Sequence, residues 1–447
     1  MKIAILGAGV TGLALARFLV EEGVELASLS IFEAAPVAGG LCRSKSVGGF
    51  TYDVAGGHIL FSKDTAAMDW MKRRAGGDEA FCQRDRNTKI RFGDAWVHYP
   101  FENGLGDLPE RARFECLAGY VRAWHDRTNA DGSPRTQAPG DFASWIRWRF
   151  GDGIAEHFMD PYNEKIWKRP LRDITSEWVA GRVPDAPIED VLKSAVGIRT
   201  EGYVHQSIFY YPLHGGFQAI TDGLAAELGD RVRTSTPVQH VARRGEGFTV
   251  DGEEFDAVIN TLPLDLLPDV VEGLDDGAAD AMRALEYNAV TCVLVALDRP
   301  DQPNLSWIYL PHPQQGPANR VTYMSNYSPN NAPEGQSSLM AEVTSDGRGE
   351  APGPEVADLT VEGLARAGLL VRENVLFTDV HTSKHAYVVY DHGFAEKRAA
   401  AIAGIEELGL TTIGRFGRYD YDNSDQCVIK ARALATELAA AWERGRG

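Results

Sequence analysis

Met1-Lys-Ile-Ala-Ile-Leu-Gly-Ala-Gly-Val-Thr-Gly12 is an apolar, β-favouring run that leads straight into a glycine-rich turn. Gly7, Gly9 and Gly12 fall at GxGxxG spacing, and Leu13, Leu15, Phe18 and Leu19 open an apolar helix behind them. In that order each glycine has a task. One makes a tight turn, one lets the backbone approach a pyrophosphate, and one lets helix and strand pack closely. The helix N-terminus then turns its free amides and partial positive charge toward a phosphate. Glu33 ends the next apolar run, Leu29-Ser-Ile-Phe-Glu33, where an acid meets a ribose hydroxyl. Strand, turn, helix and acid in register predict a dinucleotide-binding βαβ unit.

The rest of the chain sets bounds on that unit. A length of 447 residues predicts two or three structural units, and 44% apolar with 24% charged residues is ordinary for a globular protein. The formal net charge of −18, from 45 basic and 63 acidic residues, argues against nucleic acid as a partner, since such binding needs a basic face. An anionic small ligand stays open, because a few arginines in a cleft dominate locally. The five cysteines, Cys42, Cys82, Cys116, Cys292 and Cys427, are scattered and form no CxxC pair, so neither a zinc site nor a disulfide framework is expected. The first strand begins at residue 2 and no apolar run reaches membrane-spanning length. A cytoplasmic protein with no membrane partner is the expectation.

Glycine clusters recur at Ala35-Pro-Val-Ala-Gly-Gly-Leu41 and Gly48-Gly-Phe-Thr-Tyr-Asp-Val-Ala-Gly-Gly-His58, which suits a chain wrapped around an extended cofactor. From about 105 to 200 the pattern is helical: Phe142, Trp145, Ile146 and Phe150 repeat behind Asp141, a predicted N-cap. Strands are predicted over Val232 to Val241, Phe248 to Val250, Ala257 to Leu262, Ala289 to Leu297 and Trp307 to Leu310, with a closing helix from about Asp425 to Trp442. A dinucleotide domain interrupted twice suits a large flavin fold better than a compact NAD dehydrogenase. The expected class is α/β: a Rossmann-like FAD-binding domain with a helical insert and an antiparallel β-sheet insert. Boundaries are placed at 1–95, 205–285 and 390–447 for the FAD domain, 96–204 for a mainly helical substrate domain, and 286–389 for the sheet.

Several separated motifs share an order: Gly56-Gly-His-Ile-Leu-Phe-Ser62, Trp96-Val-His-Tyr-Pro-Phe-Glu102, Tyr162-Asn-Glu-Lys-Ile-Trp167, Gly181-Arg-Val183, Tyr211-Pro-Leu-His-Gly-Gly216, Arg320-Val-Thr-Tyr-Met-Ser-Asn-Tyr-Ser-Pro329 and Gly414-Arg-Phe-Gly-Arg-Tyr-Asp-Tyr421. In these the chain resembles the UDP-galactopyranose mutase family over most of its length, closer to the eukaryotic-type members than to the shorter bacterial ones. The resemblance implies an FAD enzyme that interconverts pyranose and furanose forms of a nucleoside-diphosphate sugar, UDP-galactose or a relative. In it the N5 of the reduced flavin is the nucleophile at the anomeric carbon, and NADPH or NADH is the expected reductant.

The same resemblance assigns roles. Arg182 and Arg320 match the pair that holds the substrate diphosphate, a task suited to a permanently charged, forked side chain. His58 matches a histidine near the flavin ring. Asn163 and Trp167, four apart, share one face if their segment is helical and then line the sugar cavity; Gln206 and Trp307 join the substrate set. Tyr309, Tyr387 and Tyr421 match tyrosines whose hydroxyls reach the diphosphate, with Asn423 as a polar sugar contact. Tyr99 and Glu102 match the region that meets the nucleotide base. Eukaryotic-type members often carry an amide where this chain has Glu102; a carboxylate only accepts, whereas an amide also donates, so the base is left open. Besides Gly7, Gly9, Gly12 and Glu33, the cofactor set comprises Gly40, Leu41, Gly57, His58, Val238, Gly414, Arg415 and Asp425.

Other chemistries have little support. The chain holds no GxSxG elbow, Walker motif or HExxH, and His381 and His385 lack a third ligand close in sequence, so no metal is expected. A flavin oxidase of the amine-oxidase type is the main alternative; it shares the cofactor motifs but has no use for two phosphate-gripping arginines. A non-catalytic nucleotide-sugar binder is a second, and a homo-oligomer is open to either.

Overall fold

The computed structural model describes residues 2–129, 131–179, 182–183, 186–200, 207–300 and 302–445; Gly181 and Gln206 lie outside them. Its organising layer is a five-stranded parallel sheet in the order Thr411–Thr412, Ala257–Asn260, Ile3–Leu6, Leu29–Phe32, Val232–Arg233. Every residue of Ile3–Leu6 is buried, as a central parallel strand covered on both faces requires. Helix Val10–Glu21 follows at once, and the last helix, Ser424–Gly445, packs along it through Cys427, Val428, Ala431 and Ala435. The two ends of the chain thus build one Rossmann-like unit.

The second sheet has seven strands in the order Val375–Val388, Tyr287–Leu297, Ser337–Asp346, Arg320–Tyr323, Trp307–Tyr309, Thr88–Phe92, Ala95–His98. All steps are antiparallel except that between Trp307–Tyr309 and Thr88–Phe92. The expected boundary at residue 95 therefore needs correction: it cuts the hairpin Thr88–His98, which extends this sheet rather than the Rossmann unit. A second correction concerns Val232 to Val241. The strand stops at Arg233 and a new one, Val241–Arg244, opens a three-stranded antiparallel sheet. Ser235 sits at φ 52° in between, a left-handed conformation that ends extended pairing, and Pro237 supplies no N–H.

The helical layer comprises Glu110–Arg127, Phe142–Ile154, Asp160–Trp167 and Ile188–Ala195. Asp141 caps its helix, accepting from the Ser144 amide at 2.8 Å, and Phe142, Trp145, Ile146 and Phe150 are buried behind it. Among the described residues no helix is long and apolar enough to cross a membrane.

Candidate active site

The glycine turn has the geometry that a bound phosphate would require. Gly7, at φ 100°, donates its amide to the Phe32 carbonyl at 2.8 Å, and a Cβ on Gly12 would collide with the Gly7 carbonyl oxygen. Gly9 is the N-cap of helix Val10–Glu21. No side chain caps that end and no acid occupies its first turn, so its amides and positive dipole end are uncommitted. Gly40, heading the Gly40–Cys42 turn, lies against Gly9: a Cβ there would stand 3.0 Å from the Gly9 Cα. Glu33 accepts from the Ala8 amide at 3.0 Å and the Ala35 amide at 2.9 Å, which pins the turn to the second strand's end. Leu41 and Val238 are half-buried against one core cluster. Gly414, at φ 99°, abuts Thr11. Arg415 donates to the carbonyls of Asp422 and Ala386, both at 2.9 Å, leaving its Nε buried without a partner. Asp425, in the first turn of the last helix, accepts from the Ser62 hydroxyl at 2.8 Å, so that helix carries a carboxylate at its positive end.

Beyond this cradle the Gly56-Gly-His58 segment crosses the seven-stranded sheet. The Gly56 amide donates to Cys292 Sγ at 3.1 Å, the Gly57 amide to Glu342 Oε1 at 3.1 Å and the His58 amide to Asp53 Oδ2 at 3.0 Å. The His58 ring stacks on Phe217, centroids 5.1 Å apart. Burial pulls its pKa below the usual histidine value; Asp53 opposes this and Arg320 adds to it, which leaves a neutral imidazole. Among the described residues, His58 Nδ1, Thr322 Oγ1 and Glu342 Oε2 are buried around this segment without a hydrogen-bond partner. Orphaned polar atoms grouped like this fit a polar ligand edge or ordered water. The uncapped helix end, the glycine cradle and these atoms together fit a flavin dinucleotide.

Arg320 donates through Nε to Glu342 Oε1 at 2.7 Å. Burial by itself would lower the arginine's pKa, but the Glu342 charge outweighs it and holds the guanidinium protonated. Tyr387 and Tyr309 are in electrostatic contact with Arg320. The tyrosines form a row: Tyr99 lies 5.2 Å and Tyr162 5.1 Å from Tyr309, and Tyr387 lies 6.3 Å from Tyr421. Arg182 is exposed at the far end of this row, its guanidinium 4.7 Å from the Tyr421 ring centroid. A cavity of about 390 Å³ opens on Arg182 and Tyr421 and is lined also by Trp178, Arg398 and Lys430, but not by Arg320 or His58. Arg320 thus adjoins the tyrosines at Tyr309 and Tyr387, whereas Arg182 adjoins them at Tyr421.

Asn163 and Trp167 lie on helix Asp160–Trp167, and both are buried. Asn163 donates back to the Met159 carbonyl at 2.7 Å, and the Trp167 edge meets Trp178 at 5.0 Å with its indole N–H unpartnered. Lys165 between them fastens the helix to the sheet: its ammonium donates to the carbonyls of Leu310, Ala318 and His312 at 2.8, 2.6 and 3.3 Å, and burial lowers its pKa to about 7. Arg86 covers the rings of both Tyr99 and Trp307 from 4.8 Å. Glu102 is 4% exposed with Oε1 unpartnered, and burial raises its pKa to about 7. Asn423 is exposed just before the last helix, where its carbonyl accepts from the Cys427 amide at 3.0 Å.

Sequence reading passed over Glu342, Asp53 and Tyr162. Glu342 left a signal: it is the single charged residue in the run Ser337 to Thr344. Asp53, fully buried, gathers the Ser44 and Tyr211 hydroxyls at 2.7 and 2.9 Å beneath His58.

A family model described as flavin containing amine oxidoreductase matches residues 148–401, more than half of the chain. The chain belongs to the flavin containing amine oxidoreductase family. A second model, described as an NAD(P)-binding Rossmann-like domain, matches residues 5–74, which hold the glycine turn and Glu33. Among solved structures, a reduced UDP-galactopyranose mutase superposes with a TM-score of 0.89 at 27% identity, covering 98% of this chain and 96% of that one. Putrescine oxidase bound to putrescine superposes at 0.65 with 18% identity, covering 98% and 99%. A fatty acid isomerase from P. acnes that produces CLA does so at 0.63 with 15% identity, covering 98% of each chain. The latter two share the fold alone. The resemblance read from the motifs is borne out along the chain: this is a flavoenzyme built like UDP-galactopyranose mutase.

Proposed function

We propose that the protein is an FAD-dependent mutase that interconverts the pyranose and furanose forms of a nucleoside-diphosphate sugar, UDP-galactose or a close relative. The observation that carries this reading is Arg320, a guanidinium fixed on a buried carboxylate that also takes the Gly57 amide. A diphosphate-binding group is thereby tied to the proposed flavin segment, an arrangement of no use in oxidising an amine.

When bound and reduced, the flavin supplies the nucleophile, its N5, for the anomeric carbon. The chain does the rest. Arg320 and Arg182 hold the diphosphate and stabilise the charge that develops as it leaves. The hydroxyls of Tyr309, Tyr387 and Tyr421 add neutral donors along the same row. Trp167, Trp307 and Tyr99 form aromatic walls that exclude water, and Asn163 orients the sugar. His58, kept neutral by burial, offers the ring edge a donor or acceptor rather than a charge.

Family membership by itself favours an oxidase, so the experiment must separate the two. FAD-loaded protein is given UDP-galactopyranose or UDP-galactofuranose without oxygen, with and without dithionite or NADPH. A mutase converts one ring form to the other over many turnovers per reduction, and air stops it. In a parallel assay under air, hydrogen peroxide released in step with substrate loss would replace this reading with the oxidase, as would equal conversion by the oxidised protein without reductant.

A further inference from the structure

We propose that Glu342 is the positioning residue of this site, one carboxylate oxygen fixing both the arginine that meets the diphosphate and the glycine segment beneath the flavin. The inference rests on the reading of Arg320 as a diphosphate ligand.

The strand Ser337–Asp346 explains how a carboxylate reaches this place. Side chains alternate across a strand, and Leu339, Ala341 and Val343 belong to the cluster on the outer face of the sheet. Met340, on the other face, packs into the cluster shared with the Rossmann unit. Glu342 falls on Met340's side. In the register it stands opposite Arg320 on one neighbouring strand and Cys292 on the other. All three touch the same short segment: Cys292 and Glu342 accept the Gly56 and Gly57 amides, and a Cβ on Gly56 would stand 3.1 Å from Arg320 Nη2.

Stability does not account for the carboxylate. Burying it carries a desolvation penalty that an ion pair rarely exceeds, and an apolar pair of the same volume would serve the core as well or better. What the pair does provide is geometry. Glu342 takes the Nε–H of the guanidinium, which leaves the two terminal nitrogens, the edge suited to gripping phosphate oxygens, free of that carboxylate oxygen. Because the same oxygen takes the Gly57 amide, the arginine and the flavin segment shift together or not at all.

Two substitutions separate position from charge. Glu342→Gln keeps the length and a carbonyl acceptor but loses the charge; Glu342→Asp keeps the charge but withdraws it by one methylene. The FAD-loaded full-length protein and both variants are titrated calorimetrically with UDP and with inorganic pyrophosphate, and bound FAD is measured spectroscopically. The expected result is Gln within about threefold of the parent and Asp at least about tenfold weaker for both ligands, at unchanged FAD content. An Asp variant that binds like the parent, or a Gln variant as weak as Asp, overturns the proposal. Should the parent bind UDP while the variants behave alike, only this inference falls. If the parent binds neither ligand and matches Arg320→Ala, the diphosphate reading fails and takes the inference with it.

Discussion

Arg182 rests on Tyr421: its guanidinium lies 4.7 Å from the ring centroid, and Nη2 donates to the Tyr421 carbonyl at 2.6 Å. Arg415 also covers that ring, from 4.4 Å. An exposed arginine held this way keeps much of its freedom, since a cation over a ring at an exposed site contributes only about 0.5–1 kcal/mol. The carbonyl bond belongs to the backbone and survives any substitution at 421. Among the described residues, the ring is therefore the part of the seat that mutation can remove.

It follows that Tyr421→Phe and Tyr421→Ala differ in a set way. Phe keeps the seat and loses a hydroxyl, so kcat/KM falls by roughly three- to tenfold, the cost of one hydrogen bond. Ala loses both. In a double-mutant cycle Tyr421→Ala and Arg182→Ala should couple by about 0.5–1 kcal/mol. Additive losses in kcat/KM would mean that the ring does not position Arg182.

Gly9→Ala isolates the cofactor from the fold. Gly9 has an ordinary φ of −72°, and a Cβ there meets nothing closer than the Gly40 Cα at 3.9 Å. The apo protein should melt within a degree or two of the parent. Yet the methyl occupies the approach to the uncapped helix end, so FAD affinity should drop at least about tenfold, about 1.4 kcal/mol. Unchanged flavin affinity by titration would move the pyrophosphate elsewhere.

The glycine turn and the Asp141 cap were legible because their physics is local: spacing within a dozen residues decides both. The Glu342–Arg320 pair was not. Its members are 22 positions apart, and only strand register brings them opposite each other. The boundary at residue 95 splits the Thr88–His98 hairpin for the same reason, since its partner strand, Trp307–Tyr309, lies some two hundred residues away. Asn163 and Trp167 could be placed on one helical face, but the lysine between them reads as a solvated charge until the carbonyls of Leu310 and Ala318 come into view. Composition cannot distinguish a buried ammonium from an exposed one.

Glu102 gives the protein a pH signature. Burial raises its carboxyl from 4.5 to about 7, against a weaker pull from its own backbone amide and from Arg149. Between those two values the folded state holds a proton that the unfolded state has released. Stability should therefore decline as pH rises from about 4.5 to about 7 and level off above. At about 1.4 kcal/mol per pH decade this amounts to roughly 3 kcal/mol. Glu102→Gln, which cannot ionise, should flatten that slope in melts across the window; a parallel slope in the variant would assign it to other groups.

The arginine pair should behave asymmetrically. Arg182 is exposed and, among the described residues, its hydrogen bonds go to the carbonyls of Trp178 and Tyr421, so Arg182→Ala should leave the melting temperature nearly unchanged. Arg320→Ala leaves the fully buried Glu342 without its counter-ion, a loss of about 3 kcal/mol, at the low end for such pairs because a quarter of the Arg320 side chain is exposed. In function the two should be comparable. Each removes charge-assisted hydrogen bonds to one leaving group, about 1.5–3 kcal/mol, which cuts kcat/KM by roughly ten- to a few hundredfold. The double variant should fall short of the summed losses, because both side chains act on the same diphosphate. Measured together, melts and kinetics separate the two contributions. If Arg320→Ala loses stability but keeps turnover, the Arg320–Glu342 pair is structural and the diphosphate binds elsewhere.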